Sequence, residues 1–414
     1  MTTPIVKPKR KNPVVRTRVP LTPPGMRARA TLGMTAAAAE GRFALPVCRD
    51  CGAVQYPPRE VCNNCLSERL EWRDQPGGGE LISHTTVRHS MENYYLQRMP
   101  WRLGIVKLDN GPSVVANVHG DVPPPPVRVT IGARLDKAGQ GVLVAFPEKD
   151  TPDMADDRQL REMTCDPKFR KVFITDGKTA LGQALVRAMV AAGASLIWVG
   201  QPEPWIPSAG LEELRKIPEV TIIPMDVTDS VSVKRVGGEI GVKVDILINN
   251  AEYHRNYGIA ARYGVEVARN EMDVNYFGLL RLGQEFGPVM RSRGADGVNS
   301  ATAWVNILSI FALANYPAHG TFAASKAAAH SLAQCLRAEM NGSGVRVMNI
   351  FPGPIDDEWN QTLRPPKISP TALANAVLKA LKDGVEDVYP GEFAQDWLAR
   401  WRDNPKVLER EQMG

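Results

Sequence analysis

The sequence predicts a multidomain protein in which a cysteine-rich metal ribbon and a small β-barrel precede an α/β domain with a doubly wound parallel sheet. Two Cys-x-x-Cys pairs lie between Cys48 and Cys65, and several short strands of alternating character follow them. From Lys171 onward, strands alternate with helices, which is typical of a parallel sheet covered on both faces. A chain of 414 residues is long enough for two or three such domains.

The composition is that of a globular protein, with 43% hydrophobic and 23% charged residues, and it excludes disordered and fibrous classes. Four of the six cysteines form one cluster, whereas Cys165 and Cys335 stand alone. This distribution of cysteines favours a protein of a reduced compartment with one zinc site, and it argues against disulfide bonds. The basic first residues contain no apolar segment typical of a signal peptide, and no apolar run is long enough to span a membrane. We therefore expect a cytoplasmic protein without a membrane partner.

Changes in composition divide the chain into predicted segments. These are a basic Pro-rich arm (1–29), a helix and zinc ribbon (30–78), a barrel (79–148), a polar linker (149–168) and an α/β domain (169–414). The arm has two interpretations. In the first, the arm binds nucleic acid or an acidic partner surface. In the second, it is a solvated tail that lies over a partner subunit. The cations of the arm are Lys7, Lys9, Arg10, Lys11, Arg16 and Arg18.

The cysteine cluster predicts a structural zinc site. Two Cys-x-x-Cys turns, separated by ten residues, place four thiolates where they can surround one Zn²⁺ ion. Gly52, directly after the first pair, allows the positive φ that such a turn requires. Four protein ligands leave no open position for catalysis. A redox Cys-x-x-Cys pair is the alternative reading of the same residues. The predicted ligands are Cys48, Cys51, Cys62 and Cys65.

The residues around these cysteines resemble the DUF35 family. The most specific part is Tyr56-Pro-Pro-Arg59 between the two pairs, and the resemblance extends over residues 30–148. It implies a rubredoxin-like zinc ribbon followed by an OB-fold barrel, and an association with thiolase-like or other acyl-CoA enzymes as separate subunits or fusions. An OB-fold barrel can also bind single-stranded nucleic acid, but this barrel lacks a basic stripe with interleaved aromatic residues, which argues against that function.

The first strand of the α/β domain leads into a glycine-containing turn, from Thr175 to Gly182, before a helix. Such a turn lets the backbone approach a pyrophosphate at the helix N-terminus, as in Rossmann-type domains. The turn resembles that of short-chain dehydrogenases, which place glycines where this chain has Asp176 and Ala180, so that only Gly182 of the family's three glycines remains. Gly177, next to Asp176, restores part of the flexibility of the turn. At about 4 Å and an effective dielectric constant of about 20, the Asp176 carboxylate would repel a phosphate charge by on the order of 4 kcal/mol.

The same resemblance, over residues 169–395, implies further cofactor-binding positions. Asp226 and Val227 match the residues at the adenine, and Asn249 and Ala251 match those that line the cleft after the fourth strand. Glu252 stands where the family usually has glycine, and its side chain would crowd the cofactor. The cofactor would be NAD or NADP, and the residues after the second strand do not select between them.

The catalytic positions follow the family pattern except at the acid. The resemblance implies that Asn275 relays protons, that Ser309 binds the substrate carbonyl and that Lys326 holds the ribose. Phe322 occupies the position of the catalytic Tyr, and a phenyl ring cannot donate or accept a proton. Tyr316 and His319 lie nearby as possible substitutes, in a loop before the helix.

These departures predict an accessory or scaffold subunit of an acyl-CoA-processing, thiolase-like complex, with an inactive dehydrogenase-type domain. The alternative is an active NAD(P)-dependent oxidoreductase that acts on a hydroxyacyl- or ketoacyl-CoA-type substrate through an unusual acid. In either case, the helices after Asn275 and Phe322 predict a homo- or hetero-oligomer through the dehydrogenase-type domain, which is the usual interface of the family.

Overall fold

A two-stranded ribbon, a closed five-stranded barrel and a seven-stranded parallel sheet follow one another along the chain. The computed structural model describes residues 1–8, 22–261, 263–293 and 300–412. Part of the predicted basic arm, residues 9–21, lies outside the described residues. The predicted multidomain architecture of zinc ribbon, OB-fold barrel and Rossmann-type sheet is confirmed.

The ribbon begins with a helix and continues into an antiparallel strand pair. Helix α1 (Leu32–Ala39) is followed by β1 (Ala44–Cys48), which pairs with β2 (Leu70–Asp74). The register places Cys48 opposite Leu70 at one end of the pair. Strand β1 is buried throughout, because it lies between β2 and the barrel.

The barrel closes in the strand order β3-β4-β5-β7-β6. Its interior is apolar because alternate residues of each strand point inward, as the burial pattern of β6 illustrates. A register shift between Leu81 and Ser83 bends β3, as expected of a bulge in a small barrel. The elements are β3 (Gly78–Val87), α2 (Asn93–Leu96), β4 (Trp101–Leu108), β5 (Ser113–Val118), β6 (Val127–Leu135) and β7 (Gly141–Pro147). The sequence analysis did not predict β6, which directly follows four prolines (123–126).

The parallel sheet has the strand order β10-β9-β8-β11-β12-β13-β14, with a hydrophobic core on each face. Its strands are β8 (Lys171–Ile174), β9 (Leu196–Gln201), β10 (Val220–Pro224), β11 (Ile246–Asn249), β12 (Ala303–Ile307), β13 (Arg346–Ile350) and β14 (Asp387–Val388). Its helices are α3 (Ala180–Ala191), α4 (Ala209–Arg215), α5 (Ser230–Ile240), α6 (Glu266–Met272), α7 (Gly278–Arg293), α8 (Gly320–Met340), α9 (Pro370–Asp383), α10 (Glu392–Asp403) and α11 (Pro405–Glu411). Within the described residues, none of these helices combines the length and apolar character that a membrane span requires.

One buried arginine ties the barrel to the sheet. Arg346, at the start of β13, donates hydrogen bonds to the carbonyl oxygens of Leu135 (2.9 Å), Asp136 (3.2 Å) and Met163 (3.1 Å). The first two acceptors belong to the barrel, and the third lies in the segment 149–168 that was predicted as a linker. Arg346 thereby satisfies the carbonyl groups of Leu135 and Met163 and adds a second donor to that of Asp136, which also accepts the N–H of Gly139 at 3.0 Å.

Candidate functional site

The four cysteine side chains of the ribbon converge. Their sulfur atoms all lie within 4.8 Å of one another, and the Sγ atoms of Cys48 and Cys65 and those of Cys51 and Cys62 are each 3.6 Å apart. Zn–S bonds of about 2.3 Å in a tetrahedron require S–S separations of about 3.8 Å, so the cluster fits the ion. Gly52 has a φ of 72° in the first knuckle, as predicted. The four-cysteine ribbon suits a structural zinc ion.

A cleft lies at the carboxyl ends of the parallel strands, where Rossmann-type domains bind ligands. The turn after β8 and the loops after β11 and β12 all begin at this edge of the sheet. Thr175 links the turn after β8 to the loop after β11. Its Oγ1 atom accepts the N–H groups of Asn250 (3.0 Å) and Ala251 (3.1 Å) and lies 3.2 Å from Asn249 Oδ1. Thr175, Asn249 and Ala251 therefore meet in one network.

The two glycines of the first turn allow close backbone contacts. A Cβ atom on Gly177 would lie 2.1 Å from Cγ1 of Val199 in β9, and one on Gly182 would lie 2.0 Å from the carbonyl oxygen of Asp176. Thr179 caps α3 by accepting the N–H of Gly182 at 3.0 Å. These glycines therefore hold the turn against the sheet.

Asp176 is buried in the same turn, with only 8% of its surface exposed. Its Oδ1 atom accepts the Lys178 N–H at 2.7 Å. Its backbone carbonyl accepts a hydrogen bond from Nδ2 of Asn250 at 2.6 Å. Burial outweighs these hydrogen bonds and raises the pKa of Asp176 to about 6. At pH 7, this turn carries a buried and largely ionised carboxylate.

Lys326 is buried in the cleft and is engaged by two partners. Its ammonium group lies 2.7 Å from Glu252 Oε2 and donates to the carbonyl of Ile307 at 3.0 Å. The other oxygen of Glu252, Oε1, lies 3.0 Å from Nδ1 of His254. Burial alone would raise the pKa of Glu252, but the Lys326 charge and the His254 hydrogen bond reverse this and hold that pKa below its usual range. Glu252 is therefore ionised and paired at neutral pH.

Phe322 lies beside this pair, between two histidines. Its ring centroid is 4.9 Å from that of His254, 5.5 Å from that of His319 and 5.5 Å from Nζ of Lys326. Neither ring nitrogen of His319 has a hydrogen-bond partner among the described residues. Burial, together with nearby His254, lowers the pKa of His319 to about 4. Tyr316 stacks on Phe311, with their ring centroids 5.2 Å apart.

Asn275 and Ser309 are both used in local hydrogen bonds. Asn275 lies in a π-helical turn (Asp273–Phe277) before α7, and its amide joins the backbone of Tyr253 (N–H 3.1 Å, C=O 2.9 Å) to the hydroxyl of Ser325 (2.8 Å). Ser309 follows β12, and its Oγ atom accepts the N–H of Phe311 at 3.2 Å. Both side chains therefore have structural bonds besides the roles that the family resemblance implies.

Asp226 and Val227 follow β10 at the same edge of the sheet. Asp226 Oδ1 accepts both the N–H (2.8 Å) and the hydroxyl (2.7 Å) of Thr228, so it stabilises its own turn. Val227 is buried in the core, with 6% of its surface exposed.

The sequence analysis missed the residues that cover the cleft. His254 was not singled out, although it bonds Glu252 and contacts Trp359, with ring centroids 5.9 Å apart. The guanidinium of Arg255 lies 4.1 Å from the Trp359 ring centroid and 4.5 Å from that of Tyr253. The only sequence signal was the spacing of Glu252 and His254, which lets both side chains point to one side of an extended segment.

These side chains fit a dinucleotide poorly. Asp176 lies in the turn that a pyrophosphate would follow, where a buried carboxylate repels phosphate. The Lys326 ammonium, which the family directs to the ribose, is held by Glu252. The helix N-terminus of α3 remains as a favourable feature for an anion.

Three family models match consecutive parts of the chain. They are described as the ChsH2 rubredoxin-like zinc ribbon domain (residues 35–71), the ChsH2 C-terminal OB-fold domain (residues 72–140) and short chain dehydrogenase (residues 170–367). Among solved structures, a short chain dehydrogenase from Burkholderia cenocepacia in complex with NADP is 31% identical, with a TM-score of 0.54. That match covers 60% of this chain and 99% of the other. A short-chain dehydrogenase from Streptomyces avermitilis, 23% identical with a TM-score of 0.51 over 58% of this chain and 96% of the other, has the same fold.

Curated relatives match over about half of this chain. An uncharacterised oxidoreductase of Mycobacterium tuberculosis is 28% identical over 53% of this chain and 63% of its own length. A fatty acyl-CoA reductase of Acinetobacter baylyi is 27% identical over 50% of this chain and 66% of its own length. The chain thus spans less than two thirds of the length of these curated relatives. The protein belongs to the short-chain dehydrogenase family, and it carries a ChsH2-type zinc ribbon and OB-fold barrel ahead of its dehydrogenase domain.

Proposed function

We propose that the protein is an accessory subunit of an acyl-CoA-processing complex, in which the dehydrogenase-type domain serves as a scaffold without hydride transfer. The observation that carries this proposal is the buried ion pair of Lys326 and Glu252, 2.7 Å apart beside Phe322. In that arrangement, both the ribose-binding cation and the proton donor of the family are lost to catalysis.

The loss of the acid is not compensated by its neighbours. General acid–base catalysis contributes about 10²–10⁴ in rate, and a phenyl ring contributes none of it. His319 has a pKa of about 4, so it is neutral at pH 7 and is a weak proton donor. Tyr316 is held in an aromatic stack on Phe311.

The N-terminal domains supply the expected partner class. ChsH2-type domains and a fatty acyl-CoA reductase among the relatives support a place in acyl-CoA metabolism. We infer that the ribbon and barrel engage a thiolase-like or other acyl-CoA enzyme. The Arg346 hydrogen bonds would hold them in a fixed orientation on the sheet.

A groove between α7 and α8 is the expected subunit interface. It has a volume of 760 Å³ and is lined mainly by apolar and small residues, among them Leu280, Gly283, Gly287 and Leu332. Small residues let helices of two subunits approach closely. We propose that a second copy, or an active dehydrogenase subunit, packs there.

Co-purification tests the proposal. The full chain, tagged in its native host, should retain an acyl-CoA enzyme through gel filtration, and the purified protein should show no ketone reduction with NADH or NADPH. A matched tagged chain with the ribbon disrupted by Cys62→Ser should lose the partner. A protein that runs alone and reduces ketoacyl-CoA would refute the proposal.

The second candidate is an NAD(P)-dependent oxidoreductase that acts on a hydroxyacyl- or ketoacyl-CoA. It is favoured by the 31% identity to a dehydrogenase solved in complex with NADP, and by the two buried histidines on either side of Phe322. It requires NADPH binding in the micromolar range, measured by the quenching of tryptophan fluorescence. The absence of binding at about 1 mM NADPH would exclude it.

A further inference from the structure

A cavity of 480 Å³ lies where the barrel, the segment 149–168 and the start of the parallel sheet meet. It is separate from the cleft, and its volume falls within the range of small-molecule sites, about 300–1,000 Å³. Ile5, Val6 and Pro8 form an apolar part of its wall. Its remaining wall is strongly cationic, with six basic side chains: Arg98, Lys137, Arg158, Arg161, Lys168 and Arg170.

The carboxylates at this cavity do not balance the cations. Glu162 is shared by Arg98 (2.8 Å) and Lys137 (3.1 Å), so one negative charge serves two cations. Burial alone would raise the pKa of Glu162, but these two cations lower it to about 2, so it is fully ionised.

Arg161 and Lys168 likewise share carboxylates. Lys168 lies 2.6 Å from Asp156, and Arg161 lies 3.9 Å from Asp156 and 3.7 Å from Asp166. Within the described residues, three acids (Glu162, Asp156 and Asp166) thus form ion pairs with four of the six cations that line the cavity.

Among the described residues, two of the cations, Arg158 and Arg170, form no ion pair with an acid. Arg170 donates hydrogen bonds to the carbonyls of Asp166 (3.0 Å) and Ser300 (3.5 Å). Burial, and then the charge of nearby Arg170, lowers the pKa of Arg161. The cations therefore repel one another in a partly dehydrated space, which an anion would relieve.

One polar atom at the cavity has neither a hydrogen bond nor an ion pair within the described parts of the chain. It is Oγ of Ser300, a residue with 1% of its surface exposed. Nε of Arg98 and Nη1 of Arg161 also form no hydrogen bond, but each lies in one of the ion pairs with carboxylates described above. A buried hydroxyl without a partner is costly, so Ser300 indicates a missing hydrogen-bonding partner.

An aromatic ring at the cavity adopts an unfavourable backbone conformation. Phe169 has a φ of 66°, a region that bulky residues rarely occupy. Strain of this kind is concentrated at ligand sites. Lys168 Nζ lies 5.7 Å from the centroid of the Phe169 ring, so an aromatic ring and a cation lie side by side in the wall. A nucleotide is bound by the same two groups, because its planar base stacks on an aromatic ring and its phosphate pairs with a cation.

We propose that this cavity binds the phosphorylated part of a nucleotide, with its phosphates at Arg158, Arg161 and Arg170 and its base against Phe169. The same chemistry occurs in a nucleoside diphosphate, in coenzyme A and in a dinucleotide. The site lies outside the dehydrogenase cleft, and it does not depend on the proposed function.

Calorimetry on the full zinc-loaded chain tests the site with ADP, pyrophosphate and adenosine. ADP and pyrophosphate should bind with dissociation constants below about 1 mM, and adenosine more weakly, because charge-assisted hydrogen bonds to phosphate dominate. Arg158→Gln combined with Arg170→Gln should weaken both phosphate ligands at least tenfold. Phe169→Gly, which tolerates the positive φ, should weaken ADP but not pyrophosphate. Coenzyme A and NADPH titrations then identify the source, since the natural ligand should bind more tightly than ADP.

Two control variants locate the binding. Arg187→Gln, on the exposed side of α3, removes the same charge from a residue that does not line this cavity and should leave ADP affinity unchanged. If ADP bound in the dehydrogenase cleft instead, Asp176→Asn would strengthen its binding by removing a nearby carboxylate. For binding in this cavity, Asp176→Asn should leave ADP affinity unchanged. The proposal is overturned by the absence of binding of all phosphate ligands at about 10 mM. It is equally overturned if Arg187→Gln weakens ADP as much as the cavity variants do, or if Asp176→Asn strengthens ADP binding.

Discussion

The ammonium group of Lys326 and the carboxylate of Glu252 form an ion pair of 2.7 Å in the cleft of the dehydrogenase domain. Lys326 is only 2% exposed, and its third neighbour in the cleft is the ring of Phe322. A glycine at position 252 would leave this lysine available. The glutamate therefore changes the site at least as much as the missing phenol does, because it engages a cation that is otherwise intact.

Glu252→Gln should destabilise the fold by about 3–5 kcal/mol, because it leaves the buried Lys326 charge without its counterion. Urea unfolding at pH 7 measures this free energy. The double variant Glu252→Gln with Lys326→Met should recover most of the loss. As a matched control, Glu409→Gln removes an exposed partner of Lys406 and should have no measurable effect.

The pH dependence of this pair has a definite sign. The folded-state pKa of Glu252 lies below its usual value of 4.5. Its stabilising contribution is therefore fully present above that pH and is lost as the pH falls below it. The difference between the wild-type chain and Glu252→Gln should shrink on acidification. A difference that grows as the pH falls would contradict the assigned ion pair.

Phe322→Tyr alone should not produce reductase activity, since the phenol contributes only when a cofactor is bound. The triple variant with Asp176→Gly and Glu252→Gly removes both carboxylates from the cleft, and NADPH affinity should then rise at least tenfold. Fluorescence titration and ketoacyl-CoA reduction measure the two effects. If Phe322→Tyr alone gains reductase activity, the cleft binds its cofactor despite Asp176 and Glu252.

Asp176→Asn should stabilise the protein at pH 7 by about 1–3 kcal/mol, because it removes the cost of ionising a buried carboxyl. Since burial raises this pKa from 3.8 to about 6, the folded state loses stability as the pH rises through that window. The gain should be absent at pH 3.8 and complete above pH 6. Thermal unfolding across this range measures it, with the exposed Asp403→Asn as a control that should show no pH-dependent gain.

Removal of zinc should destabilise the barrel as well as the ribbon. Phe43 and Leu45 of the ribbon belong to the same hydrophobic cluster as the barrel strands, so loosening β1 exposes that core. Cys62→Ser should lower bound zinc, measured by elemental analysis, and lower the first thermal transition. Cys335→Ser, at an exposed cysteine outside the cluster, should change neither quantity.

Arg346→Met should uncouple the barrel from the sheet. It removes the Arg346 donors to the carbonyls of Leu135 and Met163, and each buried carbonyl left without a donor costs about 1–3 kcal/mol. The Asp136 carbonyl loses one donor but keeps the N–H of Gly139. Limited proteolysis should then cut residues 149–168 faster, while the exposed Arg215→Met leaves the rate unchanged. Equal cutting rates for the wild-type chain and Arg346→Met would show that other contacts hold the junction.

Much of the architecture could be predicted because its signals are local. The cysteine spacing indicated the ribbon, and the alternation of strands with helices indicated the parallel sheet. Strand β6 (Val127–Leu135) was not predicted, although alternate residues of it are buried in the barrel.

The sequence by itself determined the ribbon ligands, the two kinds of sheet and the positions at which Asp176, Glu252 and Phe322 depart from the family, because spacing along the chain carries that information. Only the tertiary structure decided what those departures do. The pairing of Glu252 with Lys326 joins residues 74 positions apart in sequence, and the basic cavity collects cations from the barrel, the segment after it and the sheet. Charge balance and burial depend on which side chains meet in space, and local pattern does not encode that.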